Sequence, residues 1–155
     1  MADAAAHWAF ANRTQTTINH LCLDVRSHAP WIATCAFYKA LHVVEALFAS
    51  DPQIEHTSDH GRRFETLKRT AGYETILRPY MKLASAANIA RYLGDSNRDV
   101  GAFEEVYSEG VLTTRLLLGN LHDLEVAATR RLGSARQLAS IRQIIPILEA
   151  PDRAR

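Results

Sequence analysis

The chain has 155 residues, 47% of them hydrophobic and 23% charged, which is the usage of one soluble domain with a core of its own. Lys and Arg number 18 against 17 Asp and Glu, so a formal net charge of +1 excludes a bulk electrostatic case for nucleic acid, membrane or acidic partners, and any such role must come from local patches. The two cysteines, Cys22 and Cys35, fit no metal or CxxC spacing and read as reduced core thiols of a cytoplasmic protein. Consistent with that location, the longest apolar run, "LHVVEALFA", is far short of the roughly 20 residues of a membrane span, and "MADAAAHWAF" lacks the pattern of a signal peptide.

Helical periodicity runs through the chain and no strict apolar/polar alternation argues for a sheet, so the expected fold is all-α, a bundle of about five to six helices. Residues 1–150 form a single domain in this reading, followed by a short tail at 151–155. A first helix, about Asp3 to Val25, lines up Trp8, Ala11, Gln15, Ile18, Cys22 and Val25 as one stripe that only Gln15 interrupts. "SHAPW" breaks the pattern, with Pro30 in the first turn of a second helix, Trp31 to Ala49. That helix is apolar round most of its circumference except for a strip of Trp31, Tyr38, His42 and Glu45, and "SDPQ" closes it.

Thr57, Ser58 or Asp59 can cap a third helix, with Phe64, Leu67 and Ala71 on its apolar side and His60 facing inward or at the rim. Gly72 is a break, and Pro79 is expected in the first turn of a fourth helix that runs to Leu93 and stops at Gly94. Its small-residue run "LASAANIA" predicts close approach to a neighbour. "GDSNRD" is the clearest loop. A fifth helix, about Val100 to Arg131, carries Phe103, Tyr107, Gly110, Thr114, Leu117, Leu121, Leu124 and Ala128 in heptad-like steps. A short sixth follows Gly133, with Leu138, Ile141 and Ile145 as its stripe and Pro146 as its stop.

The stretch "HTSDHGRRFETLKR" is the main candidate site. His60 and Arg63 are three apart at a helix start whose free N–H groups favour anions, and His56 and Arg62 stand beside them. A capped, solvated helix start is the plain alternative. A metal site is weaker, because no fourth ligand is fixed by the spacing, and no metal or other cofactor is expected. Tyr38, His42 and Arg91 are candidate ligand contacts on the second and fourth helices, or else a core histidine and a helix-end arginine. Arg130, Arg131, Arg136 and Arg142 make a local basic patch that either touches RNA backbone or is a solvated face. No nucleotide-loop, GxSxG or HExxH motif is present.

The succession of "HWAFANR", "WIATCAFYKALHVVEALFA" with its internal FYxALH, "HTSDHGRRFETLKR" and "YMKLASAANIARYL" resembles a bacterial branch of the HEPN-domain superfamily. The resemblance implies a small helical bundle that dimerises, belongs to a defence or toxin–antitoxin type system, and binds RNA and in many members cleaves it without metal. The superfamily's signature of an arginine, a polar residue and a histidine has one match, Arg115 and His122 in "RLLLGNLH", where Leu116 departs from the usual polar residue. Cleavage of this kind needs an acid/base near neutral pKa and a cation beside the phosphate, which histidine and arginine supply. His60 with Arg63 ranks first as a catalytic pair and Arg115 with His122 second. A homodimer is expected from the apolar second and fifth helices, and the competing reading is a silent module that dimerises or binds a protein partner of the same system.

Overall fold

The computed structural model describes residues 3–55, 57, 59–92, 103 and 106–132, and among these every regular element is helical. Helix α1, Ala4–Leu21, starts where the Asp3 carboxylate accepts a hydrogen bond from the Ala6 N–H at 2.8 Å. It buries Trp8, Ala11, Gln15 and Ile18, the stripe read from the sequence, together with His7. A 3₁₀ turn at Cys22–Asp24 follows, and Asp24 leaves helical geometry at φ −140° and ψ 80°. The chain folds back there, which sets His7 against His42 and Gln15 against Lys39 in an antiparallel hairpin.

Helix α2, Val25–Ser50, begins six residues before the expected Trp31, because the Asp24 side chain caps it by accepting from the Ser27 N–H at 3.2 Å. "SHAPW" is therefore helical, and Pro30 is the sixth residue. The same correction applies to α4, Glu74–Tyr92, in which Pro79 is again the sixth residue. A proline there sacrifices one backbone bond close to the helix start, and neither sequence pattern shows that a helix can begin a turn upstream of it.

Helix α2 is the axis of the fold, packed against α1, α4 and the C-terminal helices, and residues such as Ile32, Ala33, Ala36, Ala40 and Val43 have no exposed surface. The apolar circumference from which a homodimer was expected is thus largely covered within one chain. Close approach of α4 is visible in Ala86, Ala87 and Leu83, all fully buried. Among the described residues, one 47-residue helical stretch, Ala4–Ser50, is apolar and long enough to cross a membrane by composition, but 72% of its most apolar window is buried inside the fold.

An ionic group at Lys39 links α1, α2 and a C-terminal helix inside this core. Lys39 is fully buried, donates to the Gln15 side chain and pairs with Glu125. Burial lowers the Lys39 pKa and raises that of Glu125, and each charge partly offsets the other's shift. Gln15 interrupts its stripe because it is a partner of this buried ammonium.

Helix α3, His60–Arg69, is capped by Asp59, whose carboxylate accepts from the Arg62 N–H at 2.8 Å. Of the other two cap candidates, Thr57 is turned into the core and Ser58 lies outside the described residues. Past α4, a π-helix spans Val111–Leu121 and continues as α5, His122–Leu132. The fifth helix of the sequence reading is therefore two differently wound pieces, and the sixth, expected after Gly133, lies outside the described residues, so five to six like helices are not what these residues show.

The change of winding corrects the expected heptad stripe. Leu117, Leu121, Leu124 and Ala128 are buried as expected, but Gly110 and Thr114 face solvent while Leu112, Thr113 and Leu116 are inside. A helix with i→i+5 bonding advances its apolar face in steps of four and five, which a three-and-four pattern does not anticipate. The Asn120 side chain donates to the Arg115 carbonyl at 2.8 Å, and a Cβ at Gly119 would stand 3.2 Å from the Thr114 carbonyl oxygen, so glycine eases the wide turn.

Candidate functional site

Helices α2, α3 and α4 meet around a buried ion pair. Arg63, only 5% exposed, donates from Nε to Glu45 Oε1 at 2.5 Å, and the Thr57 hydroxyl donates to the same oxygen at 2.5 Å. The strip on α2 does converge on α3, but through Glu45, which is buried. The positive charge of Arg63 is therefore committed to a carboxylate. The Tyr80 hydroxyl lies beside this pair, and burial raises its pKa against the opposing influence of Arg63.

Arg63 has a second partner. Its Nη1 donates to His60 Nδ1 at 3.2 Å. A guanidinium has no acceptor, so Nδ1 must offer its lone pair and the neutral ring carries its proton on Nε2. Burial and then the charges of Arg63 and Arg91 lower the His60 pKa, which reinforces the neutral form. His60 thus stands exposed at the rim as a hydrogen-bond donor, with its ring 5.5 Å from that of Phe37.

Beside it opens a cavity of about 400 Å³ between the three helices. Phe37, Phe64, Tyr80 and Met81 make its walls, Ser85 and Asn88 give it polar edges, and His60 and Arg91 stand at its margin. Arg91 is anchored to its own helix by donation from Nε to the Ala87 carbonyl at 3.2 Å, and its Nη1 reaches the Tyr38 hydroxyl at 3.4 Å. Its guanidinium lies over the rings of Phe37, Tyr38 and Tyr92 at 5.8, 5.9 and 5.4 Å, but it has no carboxylate partner among the described residues. A flat or aromatic group can enter the walls while its negative charge meets Arg91 and the His60 N–H.

The other sequence candidates fall elsewhere. Arg62 points into solvent on the far side of α3, in a shallow depression with Glu55 and Glu65, and pairs weakly with Asp59 at 3.6 Å. His56 lies outside the described residues. His42 is half-buried and shares an Nδ1–Nδ1 hydrogen bond of 3.0 Å with His7, stacked on Phe10 at 5.0 Å. Desolvation, then His7, lowers its pKa. Arg115 is exposed on the π-helix and no hydrogen bond or ion pair joins it to His122, whose Nδ1 is buried without a hydrogen-bond partner. Seven residues that share a face on an α-helix no longer do so on the wider winding. Neither residue borders the cavity.

Sequence reasoning missed Phe64, Tyr80 and Asn88 as cavity groups and His7 as the partner of His42. A signal for the α4 side existed: Tyr80, Ala84, Asn88 and Arg91 step by four, four and three along one face. His7 carried none, because its role depends on where the α1–α2 hairpin turns. Comparison of the chain with protein-family models, with curated proteins and with solved structures finds no match to any of them.

Proposed function

We propose that the chain is a HEPN-like protein of a bacterial defence or toxin–antitoxin type system that binds single-stranded RNA in the α2–α3–α4 cavity and does not cleave it. The observation that carries this reading is the hydrogen bond from Arg63 to His60 Nδ1. A general base for the 2′-hydroxyl needs an open imidazole lone pair, and the one lone pair of neutral His60 is occupied by Arg63. The Arg63 charge is held by Glu45 rather than offered to a phosphate. Binding needs less: aromatic walls for an unpaired base, with Arg91 and the His60 N–H for its phosphate, which is the way single strands are held without sequence readout. A cytoplasmic setting and a homodimer belong to the same proposal. Exposed Leu23 and Trp31, at 71% and 64%, are the apolar surface that supports pairing of two chains.

The test is fluorescence anisotropy with short single-stranded RNA, alongside a metal-free cleavage gel. Arg91→Ala is expected to weaken binding at least tenfold, His60→Ala less, and intact RNA is expected after prolonged incubation with wild type. Cleavage that disappears in His60→Ala would refute the binding-only reading, and no binding by wild type at low salt would remove RNA altogether.

A further inference from the structure

We infer that a second ligand site lies in the groove between α4 and α5, and that it holds the phosphate chain of a single-stranded nucleic acid. The groove has a volume of about 910 Å³, and it is separate from the α2–α3–α4 cavity. Arg78 and Lys82 line it from α4, and Arg130 faces them from α5. None of the three is paired with a carboxylate among the described residues. On a chain whose net charge is +1, this is a local concentration of free cation.

The groove has a fixed end. Arg131 of α5 is clamped there, donating to Asp51 and to the Gly72 carbonyl at 3.3 Å each, with its guanidinium 3.9 Å above the Tyr73 ring. Gly72 has φ +84°, and a Cβ on it would come within 2.6 Å of Arg131 Nη1. This residue choice lets α5 lock onto the turn before α4, so the two cationic walls are held facing each other. The lining also holds two carboxylates, Glu74, which accepts from the Gly72 N–H at 3.1 Å, and Asp123, and the three open cations outnumber them.

The occupant follows from what the groove lacks. Its apolar lining is Pro79, Val126 and Ala127, with no aromatic ring to grip a side chain or a base. An acidic peptide would gain little from it, whereas a phosphate chain needs only spaced cations. Arg78 and Lys82 lie one turn apart, about 6 Å along α4, and can meet successive phosphates. Both sites share α4, so a strand whose base sits beside Tyr80 and Asn88 can cross that helix into the groove; this path, unlike the groove itself, rests on the reading of the cavity proposed above.

The decisive measurement is binding of a four-nucleotide and a twenty-nucleotide RNA across a salt series, for wild type, for Arg91→Gln, and for the triple variant Arg78→Gln, Lys82→Gln, Arg130→Gln, with folding checked by circular dichroism. The triple variant is expected to lose at least tenfold in affinity for the long RNA, with a salt slope flatter by about 2 from three lost contacts, and to keep its affinity for the short one. Wild-type affinity and slope in the triple variant overturn the groove. So does failure of wild type to bind the long RNA, or preference of the groove for a polyglutamate peptide. If Arg91→Gln changes nothing while the triple variant releases the long RNA, the cavity reading fails and the groove stands.

Discussion

Removing either member of the Glu45–Arg63 pair should cost far more than removing both. The side chains are 2% and 6% exposed, so Glu45→Leu takes from the buried Arg63 guanidinium the carboxylate it is paired with, and Arg63→Met takes from the buried Glu45 carboxylate that guanidinium. Breaking a buried pair in this way costs about 3–5 kcal/mol, a large part of the roughly 5–15 kcal/mol that holds a domain together. The double replacement removes both charges of the pair together. It loses mainly the acceptor of the Thr57 hydroxyl, worth about 1–3 kcal/mol, so the two single costs should overlap with a coupling of at least about 3 kcal/mol. In urea, with a slope of about 2 kcal/mol per molar, each single variant should melt roughly 1.5–2.5 M earlier than wild type, and the double variant should recover about half of that. Nitrogen NMR of the imidazoles gives a second readout: His60 should carry its proton on Nε2 in wild type and become a mixture of tautomers in Arg63→Met. Additive single costs, or a cost under about 1 kcal/mol for Glu45→Leu, would refute the buried pair and with it the fixed tautomer.

Stability should fall as pH drops below about 6.5, because the folded pKa values of His42 and His60 lie below that ordinary value and the unfolded chain takes up protons first. The loss continues until the folded histidines also titrate. Urea midpoints between pH 5 and 8 check this, and a slope unchanged in the double variant His42→Asn, His60→Gln would assign it to other groups. Gly72→Ala should cost about 1–3 kcal/mol by forcing a side chain into left-handed backbone, and less in an Arg131→Ala background, where the 2.6 Å collision is gone. Melting temperatures of the four proteins decide, and equal costs in both backgrounds would separate Gly72 from Arg131. The proposed homodimer predicts a particle of twice 17.3 kDa at micromolar concentration, reduced to one chain by Trp31→Asp; a wild-type particle of 17.3 kDa counts against it.

The stripe of α1 and the small-residue face of α4 were legible, because each is a local pattern with a single structural reading, whereas the cap of α3 was narrowed only to Thr57, Ser58 or Asp59, of which Asp59 is the one bonded to the helix start. Helix starts were less so: Pro30 and Pro79 look like first-turn residues whether the helix begins there or a turn earlier, and the choice lies with Asp24 in one case and the Tyr73–Glu74 turn in the other. The π-winding was illegible for a different reason. Val111–Leu121 is rich in leucine, so apolar residues fall on almost any period tried, and the heptad phase fitted one half of the rod only.

At the candidate site, the sequence placed His60 beside Arg63 but not the direction of their bonds. Arg63 beside His60 at a helix start reads as two groups turned toward one anion, and that reading holds only while both are free. A carboxylate 18 positions upstream changes the chemistry of each: Glu45 takes the Arg63 charge, which draws the guanidinium inward, and its remaining N–H then fixes the His60 proton on the outer nitrogen. In the proposed reading the cation offered to an anion is Arg91, 28 residues beyond Arg63, held over aromatic rings and without a carboxylate of its own among the described residues. A buried acid therefore converts what looks like an acid/base pair into a positioned donor, which is why the proposed role of the α2–α3–α4 cavity is to hold a phosphate and not to cut beside one.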